Sequence, residues 1–194
     1  MKTIFTIWTK PIKTFEYLDM MEEQDLKVRM NWLFLLGSLA LLIPKVPQTV
    51  EKYKSMGHQS VAYSIIMTIL AIGMLILFFK YVYSFIVLKI GKMLQGKASK
   101  LQVQVVLAYA LVPTLISLLI SVVLVAIAIV GKDVAIIGYQ NQFTGFIIWI
   151  FAMRTFIFGI AQYNKFSYGY ALLNLCIIGA LFEGFALLLK QWVH

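Results

Sequence analysis

Arg154 and Glu183 stand inside long apolar runs, where an ionisable side chain is costly to keep. On insertion scales such a group at the centre of a transmembrane helix costs about 2.5–3.5 kcal/mol, so it normally faces the bundle interior or water and has a partner. Two readings are open. In one, both residues line a polar pathway together with Asn174, Tyr109 and Ser117. In the other, Arg154 snorkels or binds helix carbonyls, while Glu183 is protonated or sits near the outer interface. At 1.5 Å per residue from the short loop between their runs, Arg154 lies about 12 Å deep and Glu183 about 23 Å deep. A direct pair between them is therefore not the default.

Pro113 is the third residue of interest. Proline lacks a backbone donor and clashes with the carbonyl four residues back, that of Tyr109, so the helix should kink and free polar backbone inside an apolar run. Such breaks persist where neighbouring groups resatisfy the backbone. Ser117, Thr114 and the Tyr109 hydroxyl are the candidates.

Other chemistry finds no text to support it. There is no HExxH, GxSxG or Walker loop, and no pair of intramembrane aspartates to share a proton. His58 has no cysteine, histidine or carboxylate at ligand spacing, and the single Cys176 excludes an intramolecular disulfide. The expectation is a non-enzyme without metal or cofactor.

The elements that must position these residues follow from composition. Hydrophobic residues make up 61% of the chain and charged ones 13%, against about 45–50% and about 25% in soluble domains. The charges cluster between apolar runs, which marks loops. The runs predict five transmembrane helices over about 31–50, 61–93, 101–130, 143–161 and 168–190, an all-α polytopic membrane fold. Residues 1–30 form a short amphipathic leader before the five-helix region 31–194. Pro44, Lys45 and Pro47 interrupt the first run, and Lys80 is expected in the interface beside Tyr81 and Tyr83.

Within the leader, Ile4, Phe5, Ile7 and Trp8 suit the headgroup zone, and Thr9-Lys10-Pro11 reads as a helix start. Ile12, Phe15 and Leu18 recur at helical spacing as a stripe for the membrane surface. Continuing that helix would put Asp19 and Glu23 on its apolar face, so a break is expected near Asp19, with Asp19 and Glu22 as a capping box for the next helix. Glu16, Asp19, Glu22, Glu23 and Asp25 form an acidic cluster, read as a solvated face or a dock for a basic partner. No apolar signal-peptide core occupies the first 30 residues, so the first span is expected to serve as its own signal.

The net charge of +9 comes without any nucleic-acid motif and is better explained by orientation and anionic headgroups. Of seventeen lysines and arginines, the leader holds five, the second loop four and the fourth loop one. The opposite side holds three, one and one, with Lys80 and Arg154 set aside. That imbalance predicts a cytoplasmic N-terminus and an external C-terminus. Lys92, Lys97 and Lys100 then become candidate contacts for cytoplasmic lipid headgroups.

Gly96-Lys97-Ala98-Ser99 followed by Ala108-Tyr109, three residues and Pro113 resembles the Yip-domain family, the Rab-GTPase-interacting membrane proteins and their bacterial relatives. Trp8-Thr9-Lys10-Pro11 with Thr14-Phe15, and Gly159 with Phe166-Ser167 and Ala171, are similar to further family text. The resemblance implies a five-span domain with a cytosolic N-terminus. Eukaryotic members carry Gly-Tyr where Ala108-Tyr109 stands, and of their Asp-Leu-Tyr-Gly-Pro only Asp25-Leu26 remains. The match is therefore to a prokaryotic-type member, in a bacterial plasma membrane, and Rab GTPase binding is not implied.

The functional expectation is a membrane organiser or adaptor acting in the bilayer through homo-oligomers or membrane-protein partners. The alternative is a small transporter, channel or lipid-translocating protein with a polar path near Pro113, Arg154 and Glu183.

Overall fold

A segment that crosses a bilayer must satisfy its own backbone hydrogen bonds, and helices do so without a partner strand. The computed structural model describes residues 2–55, 61–131, 136–137 and 142–193, and the elements along them are helical. The loop carrying His58 and the turn carrying Lys132 and Asp133 lie outside the described residues.

The leader folds as two helices, α1 (Lys2–Thr9) and α2 (Pro11–Asp19). Pro11 occupies the first turn of α2, where its missing N–H costs nothing. The first span joins α3 (Glu23–Leu42) through a 3-10 turn at Ile43–Lys45 to α4 (Val46–Ser55). Pro44 thus tightens the helix for one turn and does not end it. The second span is α5 (Val61–Leu77), a π-helical stretch Phe78–Tyr83, and α6 (Ser84–Met93). The third is α7 (Lys100–Ala110), a 3-10 turn Val112–Thr114, and α8 (Leu115–Gly131). The fourth and fifth are α9 (Gln142–Asn164) and α10 (Tyr168–Val193).

Among the described residues five helical stretches are long and apolar enough to cross a membrane: Glu23–Tyr53, Ile65–Met93, Lys100–Gly131, Phe143–Asn164 and Tyr168–Leu188. The chain is an all-α integral membrane protein with the five spans expected from its sequence. The first span starts earlier than its apolar text, because Glu23 and Asp25 in the first turn of α3 complement the helix dipole.

Two expectations for the leader need correction. The chain does break after Asp19, but no capping box forms: Glu22 is the N-cap of α3 without a side-chain bond. The Asp19 carboxylate instead accepts from Gln102 Nε2 at 2.8 Å. Nor does the Ile12, Phe15, Leu18 stripe rest on a membrane surface. Phe15 and Leu18 are 0% exposed because α2 packs its apolar face against the bundle, chiefly on α9. A stripe of that width is equally satisfied by lipid or by protein, and here protein takes it.

The core lies mainly at the end of the bundle that receives the leader. Met30, Phe34, Val87, Val105, Tyr109 and Ile160 are buried there with Ile7 and Phe15. Toward the other end the spans turn large apolar side chains outward, among them Ile69, Met74, Leu119, Val130, Phe146 and Phe185.

Pro113 interrupts the α-helix of the third span with a 3-10 turn, and one of the three expected candidates repairs the break. The Leu111 N–H turns to the Ala108 carbonyl at 3.2 Å, and Thr114 donates both its N–H and its hydroxyl to the Leu111 carbonyl, at 3.0 and 2.6 Å. Of the expected candidates it is Thr114 that repairs the break. The Tyr109 hydroxyl is engaged elsewhere, on Thr3. Gly37 of α3 lets the first span press on this turn, since a Cβ there would come within 2.8 Å of Leu111 Cβ.

Candidate functional site

Two of the candidate intramembrane residues, Arg154 and Tyr109, converge on the leader. Arg154 of α9 donates from Nη1 to the Trp8 carbonyl at 2.7 Å. Trp8 lies in the last turn of α1, whose final carbonyls have no helical partner, and a guanidinium there satisfies one of them and the helix dipole together. The Arg154 guanidinium also stacks over Phe158 at 5.5 Å from the ring centroid, and the Trp8 ring tilts against Phe151 at 4.9 Å. Of the two readings open for Arg154, binding to a helix carbonyl is the one the geometry matches.

Tyr109 of α7, 1% exposed, donates its hydroxyl to Thr3 Oγ1 at 3.1 Å. Tyr163 of α9 donates to the Phe15 carbonyl at 3.1 Å. Between the two tyrosines sits the Phe15 ring, edge-on to Tyr109 at 6.2 Å and to Tyr163 at 5.7 Å between centroids. Gly159 makes this seat possible: a Cβ there would stand 2.7 Å from Phe15 Cζ and 2.7 Å from Val106 Cγ2. Buried phenols need a hydrogen-bond partner and edge-to-face rings gain beyond area burial. The pair therefore clamps both the backbone and the ring of α2.

The basic loop completes the clamp. Ser99 caps α7 in a capping box, its Oγ accepting from the Gln102 N–H at 3.2 Å while Gln102 Oε1 accepts from the Ser99 N–H at 2.9 Å. That fixes the Gln102 amide, whose Nε2 is the donor to Asp19. The loop itself rests on the end of α9. The Lys97 N–H donates to the Asn164 carbonyl at 3.3 Å, and the Ala98 N–H to Asn164 Oδ1 at 3.2 Å. Sequence reading did not single out Tyr163, Gln102 or Asn164. Tyr163 and the Gln102 amide donor find their partners only in the seated leader, and Asn164 in the basic loop; of the three, Gln102 alone has a local signal, as the fourth residue of the Ser99 capping box.

The remaining candidates are dispersed. Asn174 of α10 is 0% exposed and donates to the Val87 carbonyl at 3.4 Å, leaving Oδ1 without a partner. Glu183 lies on the exposed face of α10. It is not brought to Arg154, and Lys27–Glu23 is the salt bridge found among the described residues. Lys92, Lys97 and Lys100 are exposed, with the Lys100 ammonium 5.7 Å from the centre of the Tyr81 ring. Lys80 approaches the same ring at 5.5 Å and donates to Asn31 Oδ1 at 2.9 Å. It lies in the π-helical stretch, whose wider turn loosens the normal backbone ladder. The Lys80 carbonyl accordingly accepts from Gln104 Nε2 at 2.7 Å and from Ser84 Oγ. Among the described residues no group of three or more His, Cys, Asp or Glu could hold a metal ion.

A leader locked to a five-span bundle through the Tyr109–Pro113 span and the Gly159 helix is an arrangement of the whole chain, and the family match has the same extent. The Yip1 domain matches residues 5–189. The chain belongs to the Yip1 domain family. Neither a curated protein nor a solved structure matches it. The Yip1 domain so delimited takes in the second half of α1, all of α2 and the five spans, and the resemblance seen in the leader, the basic loop and the α9–α10 turn falls within it.

Proposed function

We propose that this Yip1 domain protein is a non-enzymatic membrane organiser or adaptor that works by presenting faces to other membrane proteins or to further copies of itself. The observation that carries the reading is the use made of the costly polar groups. Arg154, Tyr109 and Tyr163 are engaged in holding α1 and α2, and among the described residues their hydrogen bonds do not lead to Glu183 or Asn174. A conduit needs such groups facing a shared water-filled space. A scaffold needs a rigid end, which the clamped leader supplies, and faces free for contact. The most apolar 18-residue stretch of the second span packs on α3 along one side but has no fully buried residue, so much of its surface is left to lipid or another chain.

The lysine and arginine imbalance supports a cytoplasmic leader in a bacterial plasma membrane, with the C-terminus outside. In that orientation the clamped end, the acidic residues of the leader and the exposed Lys92, Lys97 and Lys100 all face the cytoplasm, where the lysines meet anionic headgroups. Reconstitution tests the reading. Single-molecule counting in liposomes is expected to show defined oligomers, and the same liposomes no solute flux or lipid scrambling above protein-free vesicles. Flux or scrambling abolished by Arg154→Met would overturn it.

A further inference from the structure

Beside the clamp, α1, α2 and α3 leave two adjoining cavities that share Thr3 as a common wall. The first, about 440 Å³, is lined by Thr3, Thr6, Lys10, Lys13, Thr14 and Tyr17. The second, about 270 Å³, has Arg29 and Tyr109 at one side and Ile4, Trp32, Leu33 and Leu36 along the rest. The first cavity is thus walled mostly by threonine methyls, lysine stems and the Tyr17 ring, with Lys10 and Lys13 among its lining, and the second by apolar side chains with Arg29 beside them. The five acidic residues of the leader line neither one. Asp19 is engaged by Gln102 and Glu23 by Lys27, so neither is available to neutralise Lys10 or Lys13.

We propose that these cavities form one binding site for an anionic phospholipid, with the phosphate held by Lys10 and Lys13 and an acyl chain lying along Ile4, Trp32 and Leu36. A phosphodiester is the ligand chemistry that two ammonium groups beside an apolar groove match; the Thr6 and Thr14 hydroxyls are already bonded within the leader. A soluble anion has no use for the apolar half. Trp32 in the wall of the second cavity and Phe5 next to Ile4 are 60% and 75% exposed, aromatic residues of the kind that sit at headgroup depth. Phosphate and acyl chain would then bridge α1 and α2 to the first span. This site is separate from Lys92, Lys97 and Lys100 and does not rest on the organiser reading.

The test titrates short-chain phosphatidylglycerol into the full chain in a neutral detergent, with short-chain phosphatidylcholine and inorganic phosphate as parallel probes. Wild type is expected to bind phosphatidylglycerol in preference to both. Each basic group near an anionic surface contributes enough that losing two weakens binding about thirtyfold, so Lys10→Gln/Lys13→Gln should show that loss. Lys45→Gln/Lys52→Gln, which removes the same charge from exposed positions elsewhere, should retain affinity, and Lys10→Arg/Lys13→Arg should keep most of it. Lys10 and Lys13 are exposed, so folding is expected to survive. Equal losses in both glutamine pairs would reduce the effect to net charge and overturn the site. Inorganic phosphate binding as tightly as the lipid would replace it with a soluble-anion site, and phosphatidylcholine binding as tightly as phosphatidylglycerol would remove the headgroup contact.

Discussion

Removing the Phe15 side chain should release the leader while leaving the five spans assembled. Phe15 is 0% exposed, seated between Tyr109 and Tyr163 over Gly159, and truncation of such a ring to alanine costs about 3–5 kcal/mol. Most of that loss falls on the docking of α2, because the ring's partners belong to α7 and α9, which also pack on one another. Opening of the leader is then favoured by about a hundredfold to several thousandfold, at tenfold per 1.4 kcal/mol. The assay is maleimide labelling of Thr14→Cys in a Cys176→Ser background. Thr14 is 3% exposed and close in volume to cysteine, and the hydroxyl bonds it loses, to Thr6 and the Lys10 carbonyl, lie within the leader and not across its docked face. Ser84→Cys, at a buried position of the second span, serves as the control. Labelling at position 14 should accelerate by the stated factor in Phe15→Ala, with labelling at position 84 unchanged. A rise below tenfold at position 14 would refute the clamp, and a parallel rise at position 84 would show that leader and bundle open together.

Arg154→Met should separate two opposing effects: it removes a charge-assisted hydrogen bond of about 1.5–3 kcal/mol to Trp8 and also an insertion cost of about 2.5–3.5 kcal/mol. Thermal stability in detergent is therefore expected to change by only a few degrees, while labelling of the Thr14→Cys reporter rises about tenfold to a hundredfold, at tenfold per 1.4 kcal/mol. No rise would mean that the Trp8 carbonyl bond does not hold the leader. For orientation, Lys97→Cys and Gln191→Cys should react with an impermeant maleimide from opposite faces, Lys97→Cys from the cytoplasm. Labelling of both from one face would exclude the odd span count.

Several features were legible because each needs only local physics. Five apolar runs of spanning length require five helices in a bilayer, and a proline in the third requires a break whatever surrounds it. The break after Asp19 was legible for a similar reason, since continuing the helix would bury charge. Gly159 carried family text, although nothing local says that its missing Cβ makes room for Phe15.

What the sequence by itself determined is thus the class, the span count, the break at Pro113 and the membership of the Yip1 family. The tertiary structure decided what the polar residues are for. An arginine in an apolar run has the same insertion cost whether it lines a conduit or binds a carbonyl, and the carbonyl of Trp8 lies 146 positions away in the chain. The Ile12, Phe15, Leu18 stripe likewise fits lipid and protein equally. Which surface it meets depends on whether other helices supply a groove with two phenols and a glycine at its floor, and that is a property of the assembled bundle.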